Sequence, residues 1–138
     1  MLKDKCCPPQ MLGVGLLALR IAVGIIFIHH GWSKWQDIAG TAELFRGIHI
    51  PLALFMAYVV ATVELVGGIM VLLGVYTKEA SKFLAMTMIV ALLTVHLKQP
   101  FAKAEFPLVL LGATLALSGT GAGKWRLVQK ECCQENRK

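Results

Sequence analysis

Charge is scarce in this chain. Only 16% of its 138 residues are Asp, Glu, Lys or Arg, and acids number eight against fourteen bases. Long stretches carry almost no charge, and most of the charged residues sit between or beyond those stretches. Cysteine is absent from the interior: the four occur as Cys6-Cys7 and Cys132-Cys133. There is no Cys-x-x-Cys, no flavin fingerprint and no haem-attachment motif, which excludes a redox domain carrying its own electron centre of those kinds. The net charge of +6 comes without a basic groove interleaved with aromatics, so nucleic acid is not an expected partner. No close internal repeat is apparent.

What fills the chain instead is apolar. Hydrophobic residues make up 57% and mean hydropathy is +0.66, against the roughly 45–50% of soluble domains. A chain this small cannot hide that much apolar surface from water, so lipid is the expected solvent. The first apolar run, about 23 residues, is too long for a signal-peptide core and lacks a small-residue cleavage site after it, so it is expected to stay in the membrane.

The pattern predicts an all-α integral membrane four-helix bundle, antiparallel and up-down, with a short interfacial helix between helices 1 and 2. A tail, residues 1–10, precedes a bundle over 11–123, and a charged tail follows over 124–138. The spans are expected at about Met11–Gly31, Leu52–Tyr76, Phe83–Leu97 and Phe106–Ser118, the last extending toward Ala122. Trp35–Ile50 mixes charged and apolar residues and reads as the amphipathic interfacial helix. Thr77–Lys82 reads as a tight polar turn. Nine Lys and Arg fall on the side of the two tails and this turn, and four on the other, so both termini are expected in the cytoplasm. The address that follows is the cell inner, or plasma, membrane.

Arg20 and Glu64 are the exceptions inside the apolar runs. A charge at the bilayer centre costs at least a few kcal/mol, so each should be buried between helices. Measured from the helix ends, the two lie at similar depth on neighbouring antiparallel helices. Gly13, Gly24, Phe27, Gly31 and Lys34 share the face of Arg20, and Ala57, Gly68 and Val71 that of Glu64, with Ala61 at its edge. Small residues let two backbones approach closely, so Arg20 and Glu64 are expected to touch. Two roles stand side by side. The pair fixes helix register, or it lines a polar pocket in which Arg20 binds an anionic or quinone-like group and Glu64 accepts a proton.

Three histidines lie toward the outer half. His30 and His96 are expected to converge with Trp32 and Lys34 near the outer surface, where two imidazoles suit a proton relay or a quinone carbonyl. His29 points elsewhere. Trp32, Trp35 and Trp125 fall near helix ends, as in an interfacial aromatic belt. Cys6, Cys7, Cys132 and Cys133 together offer four thiolates on one face, suited to a soft metal ion such as Zn(II), Cu(I) or Hg(II). They read equally as unshared juxtamembrane thiols, or as groups for thiol exchange or lipidation.

Several stretches, in order, resemble the DoxX family of small membrane proteins. They are Arg20 with Phe27-Ile28-His29-His30-Gly31-Trp32-Ser33-Lys34, Val63-Glu64-Leu65-Val66-Gly67-Gly68, Leu73-Gly74-Val75-Tyr76-Thr77-Lys78, Ala91-Leu92-Leu93-Thr94-Val95-His96-Leu97, Glu105-Phe106-Pro107-Leu108 and Gly121-Ala122-Gly123-Lys124-Trp125. The likeness spans roughly residues 12 to 127. Ala122 stands where the family often has proline, and Arg126, Leu127 and Val128 replace its closing Ser-Leu-Asp. The resemblance implies a four-helix membrane protein and a quinone-linked redox role, alone or as a subunit of an oxidoreductase. Arg20, Glu64, His30 and His96 are then the candidate catalytic residues, and Arg20 and Lys34 the candidates for binding the quinone. Expected partners are the lipid bilayer and either a redox protein or a second copy of the chain. Two other readings are a soft-metal carrier using the terminal cysteines, and a structural subunit without activity.

Overall fold

The structure, a computed structural model, describes residues 10–96 and 101–123, with side chains over 13–94 and 104–123. The described residues are all-α. Helix α1 is Gln10–Gln36, α2 Ile38–Gly47, α3 Ala53–Leu73, α4 Thr77–Ala91 followed by a π-helical turn Leu92–His96, and α5 Phe101–Thr120. Two of them, α1 from Gly13 to Gln36 and α3, are long and apolar enough to cross a bilayer, and the apolar part of α5, Ala104–Thr120, is shorter.

The molecule is apolar outside and polar at chosen points inside. Ile25, Phe55, Val66, Phe83 and Val109 are exposed, while Arg20 and Glu64 are buried. Leu16, Val23, Phe27, Val71, Leu84, Leu110 and Leu117 form a core drawn from α1, α3, α4 and α5. A second, smaller core joins Ala42 and Phe45 of α2 to Ala53 and Ala57 of α3.

The seam of small residues expected from the sequence is where α1 and α3 meet. A methyl group added at Gly24 would lie 2.8 Å from Leu72 Cβ, and one at Gly31 would lie 2.5 Å from the Leu65 backbone nitrogen. Moving forward along α1 moves backward along α3, so the two are antiparallel. Gly67 of α3 meets Leu84 of α4, and Lys78 at the start of α4 meets Gly121 just past the end of α5. Helix α2 packs on α3 and, marginally, on α1, and among the described residues none of its Cα atoms comes within 8 Å of one in α4 or α5.

Two boundaries differ from expectation. Thr77–Lys82 is not a turn but the first turn and a half of α4. Thr77, Ala80, Ser81 and Leu84 are buried along one face, at the spacing of a helix, and Glu79 sits in the first turn, where a carboxylate is favoured by the helix dipole. Chain reversal is accomplished earlier, by Gly74 (φ 76°) and Tyr76 (φ 45°). Helix α5 starts before Phe106 and carries Pro107 inside it; proline within a membrane helix is tolerated when neighbouring groups take up the freed carbonyl. Helix α2 starts at Ile38 because Asp37 caps it, its Oδ1 accepting a hydrogen bond from the Gly40 nitrogen at 2.9 Å.

Candidate functional site

The expected contact between Arg20 and Glu64 is absent. Arg20 donates from Nε to the Val71 carbonyl at 3.0 Å, from Nη2 to that of Leu72 at 3.1 Å and from Nη1 to that of Ala122 at 2.9 Å. Glu64 instead accepts from Lys34 Nζ in a close ion pair. The physical reason is a stagger. Arg20 lies ten residues into α1 yet meets the last turn of α3, which ends at Leu73. The first turns of α1 therefore run on past the end of α3. Depths counted from each helix end do not compare, and Glu64, seven residues before Val71, sits about 10 Å away along the axis.

Arg20 is thus a cap. The last four carbonyls of a helix have no partner within it, and the C-terminal end carries partial negative charge. A guanidinium, with several donors fixed in a planar fork, satisfies two carbonyls at the end of α3 and one just past α5. Gly74 makes room: it is in the left-handed region, and a methyl group there would lie 2.2 Å from Arg20 Nη2. Gly121 and Gly123, at φ 73° and 71°, bring Ala122 to the other side of the guanidinium.

The second polar centre faces a cavity of about 530 Å³. Its walls are mostly apolar, with Phe27, Phe45, Met56, Val60, Met88, Phe106 and Leu110 among them. His30, Lys34 and Glu64 supply the charged and titratable groups of the lining. His30 and Lys34 are one turn apart on α1. The His30 ring lies 5.7 Å from that of Phe106 and 5.8 Å from that of His29. Thr87 and Thr94 also line the space, but each hydroxyl donates to a carbonyl of its own helix segment, Leu84 at 2.8 Å and Val90 at 2.6 Å. The volume falls within the usual range for small-molecule sites, roughly 300–1,000 Å³, and so does the make-up: apolar walls with a few convergent polar groups.

The sequence profile of the DoxX family matches residues 15–97, more than half of the chain. The chain belongs to the DoxX family. Among its relatives, a Bacillus subtilis protein named "Putative oxidoreductase CatD" is 44% identical over 110 residues, covering 79% of this chain and 81% of the relative. The Escherichia coli inner membrane protein YqjF is 32% identical over 127 residues, covering 86% and 95%. A Mycobacterium tuberculosis membrane protein, Rv3486, is 30% identical over 128 residues, covering 81% and 78%. No solved structure matches the chain. This DoxX protein is accordingly a membrane protein, and its exposed apolar residues are the surface it offers to lipid.

Of the residues singled out in the sequence, His30, Lys34 and Glu64 come together at the cavity, and Arg20 sits at the far end of α3 from it. His96 belongs to the π-helical turn, and its side chain lies outside the described residues. Cys6, Cys7, Cys132 and Cys133 also lie outside them. Trp32 does not line the cavity, and Trp35 packs against Tyr58 at 5.6 Å between ring centres. Among the described residues no three His, Cys, Asp or Glu side chains gather as metal ligands. Phe45, Met56, Met88 and Phe106 were not legible as cavity residues, because nothing in a sequence separates an apolar wall from an apolar core.

Proposed function

We propose that this DoxX protein is the quinone-binding membrane component of an oxidoreductase system. The observation that carries the reading is the cavity, mostly apolar among the described residues, with His30 and the Lys34–Glu64 pair on its wall. A flat ring fits among Phe27, Phe45 and Phe106, and the ammonium of Lys34 and the imidazole of His30 offer donors to a ring carbonyl. Glu64 holds Lys34 in place and is the nearest acid to exchange a proton with the ligand. A bound quinone supplies two-electron, two-proton redox chemistry; the sequence has no haem motif, flavin fingerprint or Cys-x-x-Cys, so the electrons come from a partner redox protein, from the terminal cysteines or from a bound substrate. The relative CatD, named as an oxidoreductase, agrees with this class.

The accompanying topology is four crossings, by α1, α3, α4 with its π turn, and α5, with α2 lying in the outer interface. Both termini face the cytoplasm, in keeping with nine Lys and Arg on that side against four on the other. Helix α2 has the matching character: Ala42 and Phe45 are buried, while Glu43 and Arg46 are exposed. Soft-metal binding by the cysteine pairs is a separate proposal, resting on their spacing in the sequence alone.

Titrating the full chain in lipid nanodiscs with a benzoquinone bearing a ten-carbon tail tests the reading. Saturable binding is expected, weakened at least tenfold by Glu64→Gln and by Lys34→Met. Absence of binding by the wild type overturns it.

A further inference from the structure

The cavity is not closed on all sides. Most of its lining is buried or half-buried, but Leu44 of α2 is 52% exposed, and Met86 and Val90 of α4 are 61% and 43% exposed. Each of these residues both lines the cavity and faces the outside of the bundle. No Cα of α2 comes within 8 Å of one in α4 among the described residues. On the other flank, where His30 and Phe106 are also exposed, their rings lie 5.7 Å apart and span the seam between α1 and α5. The open side is therefore the one between α2 and α4. Met86 and Val90 stand nine and thirteen residues into α4, about 14 and 20 Å along its axis, well within a hydrocarbon core about 30 Å thick. The rim carries no charge and no hydrogen-bonding side chain.

We infer that the cavity is loaded sideways from the lipid through a portal rimmed by Leu44, Met86 and Val90, and that it takes a neutral, lipid-dissolved ring compound with an apolar tail. This rests on the quinone reading above and adds the route and the form of the ligand. A water-borne ligand would have no reason to meet an apolar opening at lipid depth. A carboxylate on the ligand would compete with Glu64 for Lys34 and leave a buried acid without its partner, so the ring is uncharged. Its polar end lies toward Lys34, Glu64 and His30, and its tail stays between the three rim residues, continuous with the surrounding acyl chains.

The test uses the full chain in nanodiscs, mixed rapidly with the ten-carbon-tailed benzoquinone and, separately, with the same ring without a tail. Met86→Trp and Val90→Trp place bulk in the rim. Met86→Leu keeps its volume, and Val109→Trp adds the same bulk on an exposed position of α5 outside the cavity. For the tailed compound, association is expected to slow at least tenfold in Met86→Trp and Val90→Trp. Met86→Leu and Val109→Trp should behave as wild type. The tail-less ring should bind the wild type more weakly by at least tenfold. Wild-type rates in both rim variants, or equal affinity for the two compounds, overturn the portal while leaving the quinone site standing. No binding of either compound by the wild type overturns the quinone site itself.

Discussion

Arg20 and Glu64 are both charged, both buried and both on the seam between α1 and α3, yet they are held in opposite ways. Among the described residues, Arg20 gives hydrogen bonds to three backbone carbonyls at helix ends, acceptors that any side chains at those positions would provide. Glu64 takes its bond from a side chain, Lys34, and both face a cavity. A charge satisfied by main chain is committed to the fold, because releasing it uncovers carbonyls at two helix ends at once. A charge satisfied by another side chain on a cavity wall can exchange its partner for a ligand without disturbing the backbone. Burial and charge alone do not distinguish the two cases; the identity of the acceptor does.

The largest effect should come from Arg20. Arg20→Leu takes the guanidinium from the Val71, Leu72 and Ala122 carbonyls, of which Val71 keeps the Gly74 N–H, and with buried carbonyls left short of a donor the loss should be about 2–5 kcal/mol. Arg20→Lys keeps the charge but not the fork, so it should recover less than half of that. Gly74→Ala should reproduce part of the defect from the other side. It puts a methyl group against the guanidinium and a side chain in a left-handed conformation, costing about 1–3 kcal/mol. Thermal and denaturant unfolding in detergent measure all three. Wild-type midpoints for Arg20→Leu would mean that the helix ends do not depend on it.

Much of this arrangement is legible in the sequence. The two buried charges, the Gly24–Gly31 and Ala57–Gly68 faces and the amphipathic segment before Pro51 are all written in residue type and spacing; the end of α3 at Gly74, short of the expected Tyr76, is not. What was misread is the pairing, and the reason is specific. Lys34 is on the Arg20 face, fourteen residues on, but depth counted from helix ends taken as level sets Arg20, not Lys34, beside Glu64. The sequence carries the angular position of a side chain faithfully, since 3.6 residues per turn is a local property. It does not carry the axial offset of one helix against another, which depends on how α1 packs beside the end of α5, around Leu16 and Gly123. Thr77–Lys82 failed differently. Its polar residues suggested a turn, whereas Thr77 and Ser81 are buried in a helix that begins as soon as Gly74 has reversed the chain.

The cavity pair should show a smaller stability effect and a larger functional one. A double-mutant cycle of Lys34→Met and Glu64→Gln should give a coupling of about 1 kcal/mol, since polar contacts inside membrane proteins average about 0.6 and reach about 1.7 kcal/mol. In the same variants quinone binding should fall at least tenfold. A coupling as large as the loss from Arg20→Leu, with binding retained, would erase the distinction between the two centres and make the pair a second structural clamp.

A third charged contact sets the lower end of the scale. Lys82 donates to Glu79 at 2.8 Å, three residues apart on α4, and both side chains are more than half exposed. Its chemistry is that of Lys34 and Glu64: an ammonium on a carboxylate. Its surroundings are not, because water competes for both groups and neither loses solvation on folding. Exposed pairs of this kind contribute about 0.2–1 kcal/mol at most, and helical neighbours fall in the lower half of that range. Glu79→Gln should therefore shift stability by about 0.5 kcal/mol or less, and raising the salt concentration should erase the shift. Some of the loss belongs to the position rather than the pair, since Glu79 also sits in the first turn of α4, near its positive end. Lys82→Met keeps that term and removes only the pair. If Lys82→Met is neutral while Glu79→Gln is not, the carboxylate acts on the helix dipole, and the ranking of the three centres follows burial and acceptor rather than the presence of an ion pair.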